Sequence, residues 1–261
     1  MNIIEIDKIM KKFGGLVALD NVTIRVCSGH IHSLIGPNGA GKTTLFNVIT
    51  RTMEPDSGNI TFKGIDLLTI SPFRIASLGI GRTFQAVELF DEMTVLENVM
   101  VGCHSLIKTG PVSAAFRLKK FVSGETFARR KSLDLLQMVG LEDTSTLLAS
   151  SLSLGQKRLL ELARALAANP DLLLLDEPAS GLNNTETRKL IEIIRNLRNQ
   201  LGATIFLVEH DMRVVMEISD TISVLNHGLN IAEGKPDEIK NDPGVIEAYL
   251  GSENHVDSQG H

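Results

Sequence analysis

At 261 residues with 43% hydrophobic side chains, the chain can build one large domain or two small ones around a substantial core, which excludes a disulfide-stapled miniprotein and a disordered chain. Lys and Arg number 26 against 31 Asp and Glu, and the net charge of -5 supplies no global positive field for a polynucleotide backbone. The two cysteines, Cys27 and Cys103, form no CxxC pair, which suits a reducing compartment and argues against a cysteine metal site.

In chain order, the opening MNIIEIDKIMKKF lacks the basic-then-apolar order of a signal peptide, and no apolar run approaches the roughly 18 residues of a spanning helix. The chain alone is therefore expected not to cross a membrane, and the cytoplasm is its expected compartment. The first part reads as short strands: Val22, Ile24 and Val26 alternate with Thr23 and Arg25, and Ile31 to Ile35 stop at Gly36. A helix is predicted from about Lys42. Between about 90 and 150 strand signals nearly vanish, and Leu133, Leu136 and Val139 recur at helical spacing, which predicts a helical insertion. The basic residues scattered there, Arg117, Lys119, Lys120, Arg129 and Arg130, read as a solvated helix face.

From 155 the order becomes helix to Asn169-Pro170, strand Leu172 to Leu175, a helix with Leu190, Ile194, Leu197 and Leu201 on one face, strand Thr204 to Val208, helix, and strand Thr221 to Leu225. That alternation predicts an α/β fold with a parallel sheet covered by helices. The end, GSENHVDSQGH, is small and polar and reads as a frayed tail.

Gly36-Pro37-Asn38-Gly39-Ala40-Gly41-Lys42-Thr43 fits G-x-x-x-x-G-K-[ST] between a strand and a helix, with Thr44 next along the helix. Glycines let successive N-H groups surround phosphate oxygens, and the helix N-terminus adds partial positive charge. Lys42 would reach the β- and γ-phosphates, and Thr43 would offer its hydroxyl to Mg²⁺. The apolar run Leu172 to Leu175 ends in Asp176-Glu177-Pro178, where ligands of open parallel sheets gather. Asp176 is assigned to the metal and Glu177 to the attacking water; without the glycine loop, two acids would simply end a strand.

Leu152-Ser153-Leu154-Gly155-Gln156 resembles the LSGGQ signature of ATP-binding cassette (ABC) ATPases. That resemblance spans residues 1 to about 250 and implies a P-loop NTPase core with a RecA-like parallel sheet, an antiparallel β subdomain and an inserted α-helical subdomain at about 90–151. It also implies roles: Phe13 stacks on adenine, Gln85 is the Q-loop glutamine that contacts Mg²⁺, Ser180-Gly181-Leu182-Asn183 is the D-loop, and His210 is the switch histidine. Read without the family, Phe13 fits the core, Gln85 a surface and Ser153 an ordinary helix N-cap. In the family, the signature residues Ser153, Leu154, Gly155 and Gln156 cover the ATP of a second cassette. Two departures are visible: Leu154 stands for a glycine, and Asn183 for the usual D-loop aspartate.

The strings Lys12-Phe13-Gly14-Gly15-Leu16, Gly81-Arg82-Thr83-Phe84-Gln85, Glu209-His210-Asp211-Met212 and Val245-Ile246-Glu247-Ala248-Tyr249-Leu250-Gly251 are similar to the glycine-glycine-leucine type of ATPase subunit in high-affinity branched-chain amino acid importers. The resemblance implies ATP and Mg²⁺ as cofactors, a paralogous ATPase subunit, two transmembrane permeases, an extracytoplasmic substrate-binding protein and a peripheral place on the cytoplasmic face of the inner membrane. Nucleic acid is not an expected partner. A soluble cassette ATPase acting on DNA or ribosomes is the alternative, disfavoured because coiled-coil insertions, zinc cysteines and a second cassette are absent from the sequence.

Overall fold

The computed structural model describes residues 1–106 and 119–253; Arg117 and, of the polar tail that begins at Gly251, residues 254–261 lie outside the described residues, while the last helix runs on to Glu253. Strands β1 (Asn2–Phe13) and β2 (Leu16–Cys27) form an antiparallel hairpin. They are longer than the short strands that the alternation predicts, because alternating burial continues through irregular pairings along both. After β3 (Ile31–Ile35) and helix α1 (Lys42–Ile49), β4 (Ser57–Phe62) and β5 (Ile65–Asp66) complete a four-stranded sheet in the order β2-β1-β4-β5.

The second sheet gathers β6 (Ile80–Arg82), β7 (Leu172–Asp176), β8 (Thr204–Val208), β9 (Thr221–Asn226) and β10 (Leu229–Gly234) around β3, in the order β10-β9-β3-β8-β7-β6. Every pairing there is parallel except that of the edge strand β10 with β9. All residues of β3, β7 and β8 are buried, so these strands read as apolar runs rather than alternations.

Helices α2 (Val95–Gly102), α3 (Lys119–Val139) and α4 (Leu154–Leu166) precede β7, and α5 (Asn184–Leu201) and α6 (Met212–Ile218) follow β7 and β8. The chain closes with α7 (Pro236–Lys240) and α8 (Pro243–Glu253). Among the described residues of 90–151, the only strand-like feature is the isolated bridge between Thr94 and Leu148. Val99, Leu136, Val139, Leu160 and Ala163 from the helices share one apolar cluster with Leu173, Leu175, Ile205 and Leu207 from the sheet. A second cluster seals Ile4, Val22 and Phe62 of the antiparallel sheet against Phe46 of α1 and Phe206 of β8.

Two residues leave the faces that spacing predicts. Leu133 is 37% exposed and Leu135 is buried instead. Leu201 is 55% exposed because it ends α5, just before Gly202 closes the helix in the left-handed conformation. Arg129 and Arg130 are exposed on α3, as expected of a solvated face. Among the described residues, no helix is long and apolar enough to cross a membrane.

Candidate functional site: a phosphate cleft at the strand ends

The glycine loop joins the C-terminal end of β3 to α1, where two positions admit only glycine. Gly36 has φ 148°, and a Cβ there would lie 2.0 Å from the Leu225 carbonyl oxygen. Gly41 has φ 106°, and a Cβ would stand 2.4 Å from the Ala18 carbonyl oxygen. Lys42 folds back so that Nζ donates to the carbonyls of Gly36 at 2.7 Å and Pro37 at 2.9 Å. Burial lowers the Lys42 pKa from its ordinary value, and the nearby carboxylates of Glu177 and Asp176 oppose that shift.

A cleft of about 420 Å³ lies over this loop. Phe13 lines one side, Asn38 through Thr44 form the floor, and Gln85 and Glu177 stand at the rim. The structure thus brings the glycine loop, Phe13, Gln85 and Glu177 to one cleft from distant parts of the sequence. A roomier concavity of about 590 Å³ lies at the opposite, N-terminal edge of the parallel strands, lined by Met1, Pro170 and Leu201 and remote from the glycine loop.

Asp176 ends β7 and is 1% exposed. Its Oδ2 accepts from Arg82 Nη2 at 3.0 Å, while Oδ1 is buried without a hydrogen-bond partner. Burial raises the Asp176 pKa above the usual carboxylate range, against the pull of Arg82. Arg82 also donates to Asn47 Oδ1 at 2.8 Å and Thr50 Oγ1 at 3.0 Å, and its guanidinium lies 4.9 Å from the Phe84 ring centroid. One side chain therefore ties α1, the Q-loop and the β7 acid together.

At Glu177 the strand breaks: φ is 48°, and its N-H donates to Val208 O at 2.9 Å. A left-handed turn at a non-glycine residue swings this carboxylate away from the line of Asp176. Gln85 Nε2 donates to Glu177 Oε2 at 2.9 Å, and His210 Nδ1 lies 3.7 Å from the same oxygen. His210 is set by Glu209, fully buried, whose Oε2 accepts from the N-H of His210 at 2.8 Å while Oε1 accepts from Ala179 N-H at 2.9 Å.

The signature residues do not line this cleft. Ser153 is the N-cap of α4: its Oγ accepts from Gln156 N-H at 3.3 Å, and Gln156 Oε1 accepts from Ser153 N-H at 3.0 Å. The plain helix-cap reading of Ser153 holds. The signature meets the D-loop and the first turn of α5: a Cβ on Gly181 would reach Leu154 Cδ2 at 2.8 Å, and one on Gly155 would strike Glu186 Oε1 at 2.4 Å. Leu154 thus packs over the D-loop, where its departure from glycine fills space. Asn183 caps α5 by accepting from Thr185 N-H at 2.9 Å and Glu186 N-H at 3.0 Å. Asparagine and aspartate cap comparably, so the D-loop departure keeps the local fold.

Sequence reasoning passes over Arg82, Glu209 and His227. His227 lines the cleft because β10 turns back on β9 there, with φ 47°. Glu209 and Arg82 stand inside quoted strings, yet nothing local shows that their partners lie 30 and 94 positions away.

Comparison with known proteins agrees with this geometry. The ABC transporter family pattern matches residues 19–180, and that of the branched-chain amino acid ATP-binding cassette transporters matches residues 230–255. The high-affinity branched-chain amino acid transport ATP-binding protein LivG of Salmonella typhimurium is 45% identical over 95% of this chain and 98% of its own length. BraF of Pseudomonas aeruginosa, named for the same activity, is 41% identical over 95% of this chain and 98% of its own. The ADP conformation of MJ1267, an ATP-binding cassette of an ABC transporter, superposes with a TM-score of 0.83 at 34% identity, covering 96% of this chain and 99% of that one. The nucleotide cleft, its strand-end acids and these likenesses converge: the chain belongs to the ATP-binding cassettes of the ABC transporter family, in the branched-chain amino acid transport group.

Proposed function

We propose that this chain hydrolyses MgATP to drive branched-chain amino acid uptake through partner permeases. The observation that carries the reading is the Glu177 carboxylate at the rim of the phosphate cleft, flanked by Gln85 and His210. There it accepts the proton of an attacking water, with Gln85 and His210 fixing its direction, while Lys42 leaves its loop carbonyls for the β- and γ-phosphate oxygens. Phe13 supplies a π-face for the base.

The donor set fits Mg²⁺: the buried Asp176 Oδ1 has no other partner, and the Thr43 hydroxyl and Gln85 side-chain oxygen are hard ligands. These residues would hold the ion, which when bound spreads the charge of the transferring phosphoryl group. Ser153 and Gly155, at the α4 N-terminus, face the nucleotide of a paralogous cassette, and that cassette's signature covers the ATP held here. The permeases dock on the helical subdomain, whose described helices there are α2 and α3, and on the segment around Gln85. A groove of about 560 Å³ lined by Phe84, Phe90, Val101 and Arg164 supports that surface, since the two phenylalanines and Val101 are exposed there and Phe84 directly precedes Gln85 in the chain. The substrate-binding protein acts on the far side of the membrane, and this chain stays peripheral on the cytoplasmic face.

The test is Glu177→Gln. It should bind MgATP as the parent does and lose turnover by about a hundredfold or more in a phosphate-release assay. Unchanged turnover would remove Glu177 from the water. Uptake of labelled leucine by membranes carrying the complex, abolished by the same substitution, tests the cargo.

A further inference from the structure

Phe84 is gripped through its main chain from both sides. Its N-H donates to Glu161 Oε1 at 2.9 Å, and its carbonyl accepts from Arg158 Nη1 at 3.0 Å. Both partners belong to α4, the helix that Ser153 caps, and both are buried, Arg158 at 8% and Glu161 at 2% exposure. They face each other at 3.8 Å. The next residue along the chain is Gln85, whose Nε2 donates to Glu177 Oε2.

A buried ion pair is an expensive way to hold two elements together, since well-packed apolar side chains of similar volume often serve stability as well. What the charges add is direction: a carboxylate on an N-H and a guanidinium on a carbonyl are strong, oriented hydrogen bonds that fix a residue's rotation as well as its place. Any shift of α4 is delivered to Phe84, and one residue further on it reaches the amide that touches the Glu177 carboxylate.

We propose that Arg158 and Glu161 are positioning residues for hydrolysis, carrying the placement of the signature helix through Phe84 and Gln85 to the chain's own Glu177. The proposal rests on Glu177 acting on water as proposed above. It makes two parts of α4 serve two nucleotides: the capped end answers to the partner's ATP, and the middle sets the geometry around this chain's own.

The test uses the full chain with the paired substitution E161L and R158M, which removes the grip without leaving a buried charge alone. Amide hydrogen exchange of the segment around Phe84 and Gln85 should accelerate by about tenfold or more. Affinity for a fluorescent ATP analogue should stay within about twofold, while kcat falls by about tenfold to a hundredfold, as small misplacements of reacting groups do. Adding Gln85→Ala should then cost much less than it costs in the parent, because both changes act through one amide. Glu161→Gln keeps an acceptor for the Phe84 N-H and should recover most of the rate. Unchanged exchange at Phe84, an unchanged kcat, or full additivity with Gln85→Ala would each overturn the proposal. A parent chain that fails to hydrolyse ATP would instead overturn the ATPase reading, and the exchange measurement would still decide whether α4 grips Phe84.

Discussion

His32 shows how a single buried side chain sets a condition for the site above it. It lies on β3, the strand that ends in the glycine loop, at 1% exposure. Its Nε2 pairs with Ser223 Oγ at 2.8 Å, Ser223 donates on to Glu233 Oε2 at 2.8 Å, and the ring meets Phe206 edge-on. Burial, reinforced by the charge of His30, lowers its pKa from 6.5 to about 4. The unfolded chain therefore takes up this proton at a higher pH than the folded chain does. The resulting stability is fully present above pH 6.5 and drains away as pH falls toward about 4. His32→Gln keeps a polar group for Ser223 without titrating, so its thermal midpoint should fall less steeply than the parent's between pH 6.5 and 4; parallel curves would contradict this. At this scale the sequence makes the contiguous chemistry legible: Lys42, Thr43, Asp176 and Glu177 sit in strings whose spacing carries their meaning. His32 lies in no such string, and the string around Arg82 does not tell its role, because both roles exist only once distant strands are neighbours.

Helix starts carry much of the local information. Thr94, Ser153 and Asn183 each cap a helix with a reciprocal Glu or Gln three residues on, namely Glu97, Gln156 and Glu186. The D-loop thus doubles as a cap, and its stability role separates from any role in hydrolysis. Asn183→Asp should leave the thermal midpoint nearly unchanged, whereas Asn183→Ala should cost about 1 kcal/mol by chemical denaturation. An equal loss in both variants would show that the amide is needed for more than its acceptor oxygen. Elements with strong periodicity or continuous burial were legible, as β3, β7, β8 and α5 attest. The two-residue β5 and three-residue β6 were not, since such short strands leave no period to read and are fixed by their neighbours.

Across the whole molecule, the helical stretch and the parallel sheet share one apolar cluster, so neither side has a complete core alone. Leu136 of α3, fully buried in that cluster, tests the coupling. Leu136→Ala should cost about 2–5 kcal/mol. Helix and sheet signals should lose stability together in a single transition rather than the helices melting first. The cap also sets the polarity of the start of α4. Because the Ser153 oxygen already accepts from Gln156 N-H, the hydroxyl has its proton left to offer. Together with the N-H groups of Leu154 and Gly155, which have no partner within the helix, it makes this tip rich in donors. Such a tip favours an anion in front of it, so in the closed pair proposed above its hold would weaken as the charge of the group it faces falls.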